Sequence, residues 1–305
     1  MLHYIVRRLG GAIPTLFVII AGTFFMMRLA PGGPFARERV VPPEVEANLM
    51  KAYHLDEPLW QQFLRYINAL AHGDFGPSFK YKDFSVADLI FGGFPVSLQL
   101  GGIAILVALF LGLFFGIWAA FRQNTPVDYA AMSVSMVGIA VPNFIVAPVL
   151  TLVFGLTLHL LPVGGWGGWE HYVLPIIALS LPPMASIARL TRASMIEVLS
   201  SNFIRTARAK GLPEMITVTR HAIRAALLPV VSYMGPAVAN IITGSVVVEQ
   251  IFSIPGIGRY FVQGSLNRDY TLVMGVTVFY GALIILCNLI ADILYGLLDP
   301  KVRYD

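Results

Sequence analysis

Cysteine is almost missing from this chain: Cys287 is the only one in 305 residues, and it lies inside an apolar run. That count excludes a disulfide framework and a cysteine-built metal site, each of which needs several thiols. Charge is scarce as well. Only 12% of the residues are Asp, Glu, Lys or Arg, whereas 57% are apolar and the mean hydropathy is +0.73. A soluble domain carries about 25% charged residues. Most of this chain cannot lie in water.

The familiar catalytic signatures are absent too. There is no G-x-x-x-x-G-K-[ST] phosphate loop, no H-E-x-x-H and no G-x-S-x-G. The six histidines are scattered, and no Ser/His/Asp set or carboxylate pair stands out on the apolar runs. The sequence therefore predicts no enzymatic activity and no cofactor of its own. An intramembrane enzyme is disfavoured. Any energy for work has to come from a partner or from an ion gradient.

What is present is a set of six apolar runs, at about 9–30, 97–121, 129–157, 172–191, 227–249 and 272–297. Each is long enough for a helix crossing a bilayer, which takes roughly 20 residues. The first follows Arg7 and Arg8 and exceeds a secretory signal core, and "RLAPGGP" (Arg28 to Pro34) holds no A-x-A-like cleavage site. It reads as an uncleaved span. Prolines interrupt the third, fourth and fifth runs (Pro142, Pro148, Pro175, Pro182, Pro183, Pro229, Pro236), so their boundaries are the least secure. The fold class is an all-α membrane protein with six transmembrane helices, one transmembrane domain over 1–305.

Lys and Arg set the expected orientation. The N-terminus, Arg122, the connection 192–226 with Arg192, Arg205, Arg208, Lys210, Arg220 and Arg224, and the tail with Lys301 and Arg303 share one side. The third connection has no Lys or Arg, and the fifth has only Arg259 and Arg268. By the positive-inside rule both termini and 192–226 are cytoplasmic. The segment 31–94 then lies outside. It contains helical patterns in "PPEVEANLMKAYHL" and "DEPLWQQFLRYINALAHG", the latter with Asp56 as N-cap, Pro58 near the first helical position and Gly73 as stop. Its apolar face is Leu59, Phe63, Tyr66, Ile67 and Leu70. "SVAD" (Ser85 to Asp88) predicts a capping box opening a third short helix. Together these form a small folded cap.

Two features remain to be weighed. "NFIRTARAKGLP" (Asn202 to Pro213) reads as a helix begun by Ser201 or Asn202 and ended by Gly211 and Pro213. Its charges orient the chain and offer a contact to lipid headgroups. No aromatic platform accompanies them, which argues against nucleic acid. An amphipathic helix presented to a cytoplasmic partner suits the interleaved Phe203, Ile204 and Leu212 best. Within the spans, Asn143, Asn240 and Thr243 are polar at membrane depth, where such groups face a bundle interior or a water-filled path. Asn288 and Asp292, four apart in the sixth run, are the best ion site for a gradient-driven secondary transporter, although Asp292 lies close to the wet end at Asp299 to Lys301.

"FIRTARAKGL", "RHAIRAALLPVV", "VVVEQIFSIPGIGRYFVQGSLNRDY" and "LLDPKVR" resemble the membrane subunits of bacterial ATP-binding-cassette peptide importers. The resemblance runs from the first residues to the last. It implies a permease in the cytoplasmic (inner) membrane of a bacterium, paired with a second homologous permease subunit and served by one or two cytoplasmic ATPase subunits that bind the ATP. It also implies an extracytoplasmic peptide-binding protein that delivers an oligopeptide substrate. The coupling loop of such subunits would fall on Arg205, Thr206, Ala207, Arg208, Ala209, Lys210 and Gly211. Matching the family's loop glycine to Gly211 puts its usual Glu-Ala-Ala on Arg205, Thr206 and Ala207, of which only the last alanine is kept.

Overall fold

Inside a bilayer the backbone finds no water, so each apolar run satisfies its N–H and C=O groups within a helix. The computed structural model of the chain describes residues 2–29, 44, 48, 50–51, 53–81 and 83–298. Its helices are α1 (Leu2–Leu29), α2 (Leu59–Ala71), α3 (Val86–Phe121), α4 (Pro126–Ala140), α5 (Asn143–Leu150) and α6 (Glu170–Leu199). They continue as α7 (Asn202–Ala209), α8 (Glu214–Ile216), α9 (Ile223–Ala226), α10 (Leu228–Ile251), α11 (Ile257–Leu266) and α12 (Tyr270–Leu298). Wider π-helical turns follow α5 (Thr151–Thr157) and α8 (Thr217–Ala222). Among the described residues the only β pairing is one isolated bridge between Pro77 and Ser85.

Among the described residues five helices are long and apolar enough to cross a membrane: α1 over Gly10–Leu29, α3, α6, α10, and α12 over Tyr270–Leu294. The third expected span, 129–157, is not one straight helix. It is broken into α4 and α5, bent by 104°, and makes a sixth crossing only if the pair counts as one. The cause is local. Pro142 supplies no N–H to the ladder, and the residue before a proline is pushed out of the helical region. Val141 is accordingly extended, with φ −93° and ψ 116°, and the Pro142 carbonyl restarts the ladder by accepting from Ile145 and Val146.

The segment between the first two spans differs from expectation in two details. The capping box at Ser85 and Asp88 is present, with Ser85 Oγ accepting from Asp88 N and Asp88 accepting from Ser85 N. It opens α3, a 36-residue helix, rather than a separate short one. The α2 helix starts at Pro58, and Asp56 makes no cap: Pro58 O accepts the first N–H groups, from Gln61 and Gln62. Gly73 stops α2 as expected, at φ +77°. The pattern at "PPEVEANLMKAYHL" falls largely outside the described residues.

The bundle is centred on α3 and α6. Ala104, Ala108, Gly112, Gly116 and Ala120 recur every fourth residue of α3, all buried, and their line lets the two backbones close up. A Cβ on Gly116 would lie 2.6 Å from the Ala188 carbonyl oxygen, so only glycine fits there. At one end Gly165 N donates to Phe252 O at 2.7 Å, which brings the start of α6 beside the end of α10. The end of α1, the start of α12 and α11 gather at that same end. The α7 helix, following α6, lies at the other.

Candidate translocation surface and coupling loop

The bend at Pro142 has a consequence for the polar residues. It puts Asn143 at the first position of α5, where its amide faces α10 across a cavity of about 550 Å³. Asn240 and Thr243 of α10 line the same cavity, with Tyr233 and Ser186. The three polar residues expected along a path, distant in sequence, are thus brought together. Gly244 makes the approach possible: a Cβ there would stand 3.0 Å from Asn143 Nδ2. Thr243 Oγ1 donates back to its own helix, to Ala239 O at 3.0 Å, and Asn143 Oδ1 is buried without a partner. Asn240 and Thr243 are exposed in the isolated chain. The cavity is therefore an open, amide- and hydroxyl-bearing surface that can meet polar solutes by hydrogen bonds and holds no fixed charge. Asn288 is elsewhere, its Oδ1 filling the space beside Gly235 between α12 and α10.

Beyond the C-terminal end of α6, α7 is built as a rigid ledge. Ser201 stands at its N-cap without capping by its side chain; the hydroxyl donates instead to Val198 O at 2.6 Å. Its end is a full Schellman turn. Leu212 N donates to Ala207 O at 3.3 Å and Gly211 N to Arg208 O at 2.9 Å, with Gly211 at φ +77°. Ile204 and Ala207 point inward, and Ile204 is fully buried in a cluster with Met195, Val218, Ala222 and Ala226. Arg205, Thr206, Arg208, Ala209, Lys210 and Gly211 are exposed, with Phe203 and, beyond the turn, Leu212, Met215 and Ile216. Ala207 thus belongs to the chain's own packing. The other six residues of the expected loop are the ones a partner can touch.

Arg208 braces the turn by a two-point contact with Glu214, at 2.6 and 3.1 Å. The guanidinium holds the Glu214 carboxyl below the usual glutamate range. A second two-point pair, Arg192 with the buried Asp128 at 2.5 and 2.6 Å, ties α6 to the start of α4. The ledge is thereby joined to the helices that carry the cavity, α6 directly and α5 through α4.

Like Asp128, two more buried carboxylates escaped the sequence reading. Glu249 of α10 is fully buried and accepts from Gly258 N at 2.8 Å, while Ser97 Oγ accepts from Ile257 N at 2.9 Å. Together they satisfy the first N–H groups of α11 from neighbouring helices. Asp269, also fully buried, accepts from Ser78 Oγ at 2.5 Å, Lys80 N at 3.1 Å and Leu272 N at 3.2 Å. It pins the chain at Ser78 and Lys80 to the start of α12. A lone acid in an apolar run ahead of a G-x-G pair was the available signal for Glu249.

Residues 112–304 match the family of the binding-protein-dependent transport system inner membrane component, and residues 1–101 match the N-terminal part of that membrane component. The chain belongs to this family. It is 57% identical, over 306 residues covering 100% of both chains, to the oligopeptide transport system permease protein OppB of Escherichia coli K12. The corresponding protein of Haemophilus influenzae is 54% identical over the same extent. The dipeptide transport system permease protein DppB of Bacillus subtilis is 46% identical, over 99% of this chain and 98% of its own. Among solved structures, the inward-facing MetNI methionine ABC transporter matches with a TM-score of 0.60 at 16% identity, over 69% of this chain and 96% of its own. An amino acid ABC transporter matches with a TM-score of 0.52 at 18% identity, over 68% and 92%. These two share the fold. The protein is accordingly a permease-type inner-membrane component of a binding-protein-dependent transport system, and the expected fold class and family hold.

Proposed function

We propose that this permease is one half of the pathway of an ATP-driven peptide importer. A peptide delivered by an extracytoplasmic binding protein passes between the Asn143–Asn240–Thr243 surface and the matching surface of a second, homologous permease subunit. ATP is bound by cytoplasmic ATPase subunits that seat on the exposed face of α7 and α8. The termini and 192–226 face the cytoplasm and 31–94 the outside, as the Lys/Arg asymmetry requires. Binding and hydrolysis of ATP then bias the ledge between two positions, and the α4–α6 tie carries the shift to the cavity.

The observation that carries this reading is the union, in one chain, of an uncovered uncharged polar cavity beside the middle of α6 with a rigid basic-and-apolar ledge at its C-terminal end. Uncharged amides suit a solute class that varies in side chains but always offers peptide groups. The full-length identity to oligopeptide and dipeptide permeases supports the same class. Reconstitution of the chain with its co-purifying subunits in vesicles tests it: peptide should stimulate ATP hydrolysis and accumulate inside. Uptake driven by an ion gradient without ATPase subunits would replace it by a secondary transporter.

A further inference from the structure

The α2 helix carries an apolar surface that the translocation reading does not use. At 100° per residue, Leu59, Phe63, Tyr66 and Leu70 occupy one arc and Trp60, Leu64, Ile67 and Ala71 the adjoining one, while Gln61, Arg65 and Asn68 form the remaining edge. The first arc is spent on α1. The Phe63 ring lies 6.0 Å from Phe17, 5.2 Å from Phe24 and 5.3 Å from Phe25, and Tyr66 stacks on Phe24 at 5.9 Å. Among the described residues the second arc is left largely uncovered: Trp60 is 61% exposed and Leu64 57%, with Ile67 half-buried beside them.

Depth decides what covers it. At a rise of 1.5 Å per residue, Phe25 stands about 6 Å and Phe17 about 18 Å along the axis from Leu29. Both lie inside Gly10–Leu29, the part of α1 apolar enough to cross a bilayer. Phe63 is therefore level with the membrane-spanning part of α1, well below its end. The outward residues Ile13, Val18 and Met26 of α1 are 66–71% exposed, so the uncovered arc of α2 continues a surface that already faces lipid. The polar edge is arranged accordingly. Arg65 is held by Glu57 at 2.6 Å, and Gln62 Nε2 donates to Leu55 O and Glu57 O, so these two side chains are tied to the chain ahead of the helix.

We propose that α2 is an interfacial helix whose Trp60–Leu64 face rests in the acyl chains of the leaflet opposite the α7 end, instead of belonging to a water-exposed cap. A helix with one broad apolar face, a polar edge and a tryptophan on the apolar side is the form that lies in the plane of a membrane boundary. Here the helix is clamped to the first span by aromatic packing, so lipid presses it against α1. The inference needs neither the peptide reading nor the orientation, since depth is measured along α1 alone.

Nitroxide labels at positions 60, 64 and 68, each introduced as cysteine after Cys287→Ser, test the proposal in the complete transporter in lipid nanodiscs. Oxygen partitions into lipid and a neutral nickel chelate into water. The ratio of collisions with oxygen to those with nickel should be severalfold higher at 60 and 64 than at 68. A higher nickel rate at 60 and 64 would place the face in water. Shielding from both reagents that disappears when the second permease or the binding protein is removed would make it a protein contact. Either result overturns the proposal. The otherwise native chain offers a second readout: brominated lipid should quench tryptophan emission, and Trp60→Phe should remove part of the quenchable fraction. An unchanged fraction would likewise overturn it.

Discussion

Ala207 and its neighbours show how much depends on which way a single side chain points. Ala207 is 8% exposed, so Ala207→Asp buries an unpaired charge inside the permease. Such a charge costs on the order of several kcal/mol. The expected result is a lower thermal midpoint and poor yield of the assembled complex. Phe203→Ala, on the exposed face, should leave both intact while lowering peptide-stimulated ATP hydrolysis. Equal thermal midpoints for Ala207→Asp and the parent would show that this face is not packed as described. Glu249 offers a matched pair at the other end. Glu249→Gln keeps an oxygen acceptor for Gly258 N and should be mild, whereas Glu249→Leu leaves a buried N–H unpaired at about 1–3 kcal/mol. Hydrogen exchange at residues 257–260 should rise in the leucine variant alone. Equal protection in both would mean that α11 is held by other contacts.

At the scale of elements, the close approach of α3 and α6 and the break between α4 and α5 matter most. Gly116→Leu forces the α3 and α6 backbones apart where the added Cβ would already overlap Ala188 O and Thr191. Overpacking of this kind costs about 1–3 kcal/mol or more, and the measurable outcome is a lower thermal midpoint in detergent. Pro142→Ala returns an N–H to position 142 and removes the constraint on Val141. The α4–α5 bend should then relax toward a continuous helix, drawing Asn143 away from Asn240 and Thr243. Spin labels at 134 and 153 would report a longer separation, together with slower transport; an unchanged distance would place the cause of the bend in tertiary packing. The α7–α8 turn has its own dependence on pH. Arg208 lowers the Glu214 carboxyl, so the brace is complete at neutral pH and is lost as pH falls through and below the ordinary glutamate range. The pair is exposed, so its release should loosen the turn with little effect on global stability.

For the whole molecule, the uncharged cavity predicts weak grip and broad tolerance. Asn143→Ala and Asn240→Ala should change the rate of uptake more than the rank order of peptides, because backbone amides are common to all of them. A rewritten rank order would instead locate selection in this chain. The orientation is tested by labelling in intact cells after Cys287 is replaced: a cysteine at 210 should be shielded from an impermeant thiol reagent. Efficient labelling there would invert the topology and unseat the ATPase from α7.

Much was legible without coordinates, and what was legible shares a cause. Membrane class follows from composition, the ends of α7 from Ser201 and Gly211, and the start of α3 from the Ser85–Asp88 box. Each of these signals acts over one lipid-spanning run or a few bonded residues, so the local sequence carries it entire. The contacts that assemble the site are of another kind. That Asn143 shares a cavity with Asn240 depends on a bend of 104° and on Gly244, far off in the sequence. That Ile204 faces inward depends on Val218 and Ala222, and that Glu249 is tolerated depends on Ser97 and the N-terminus of α11. The Trp60–Leu64 arc of α2 was missed for the same reason: periodicity marks a face as apolar but does not say whether protein or lipid covers it. Only the tertiary structure decides that, because coverage is set by surfaces remote in sequence that pack at a particular depth and angle.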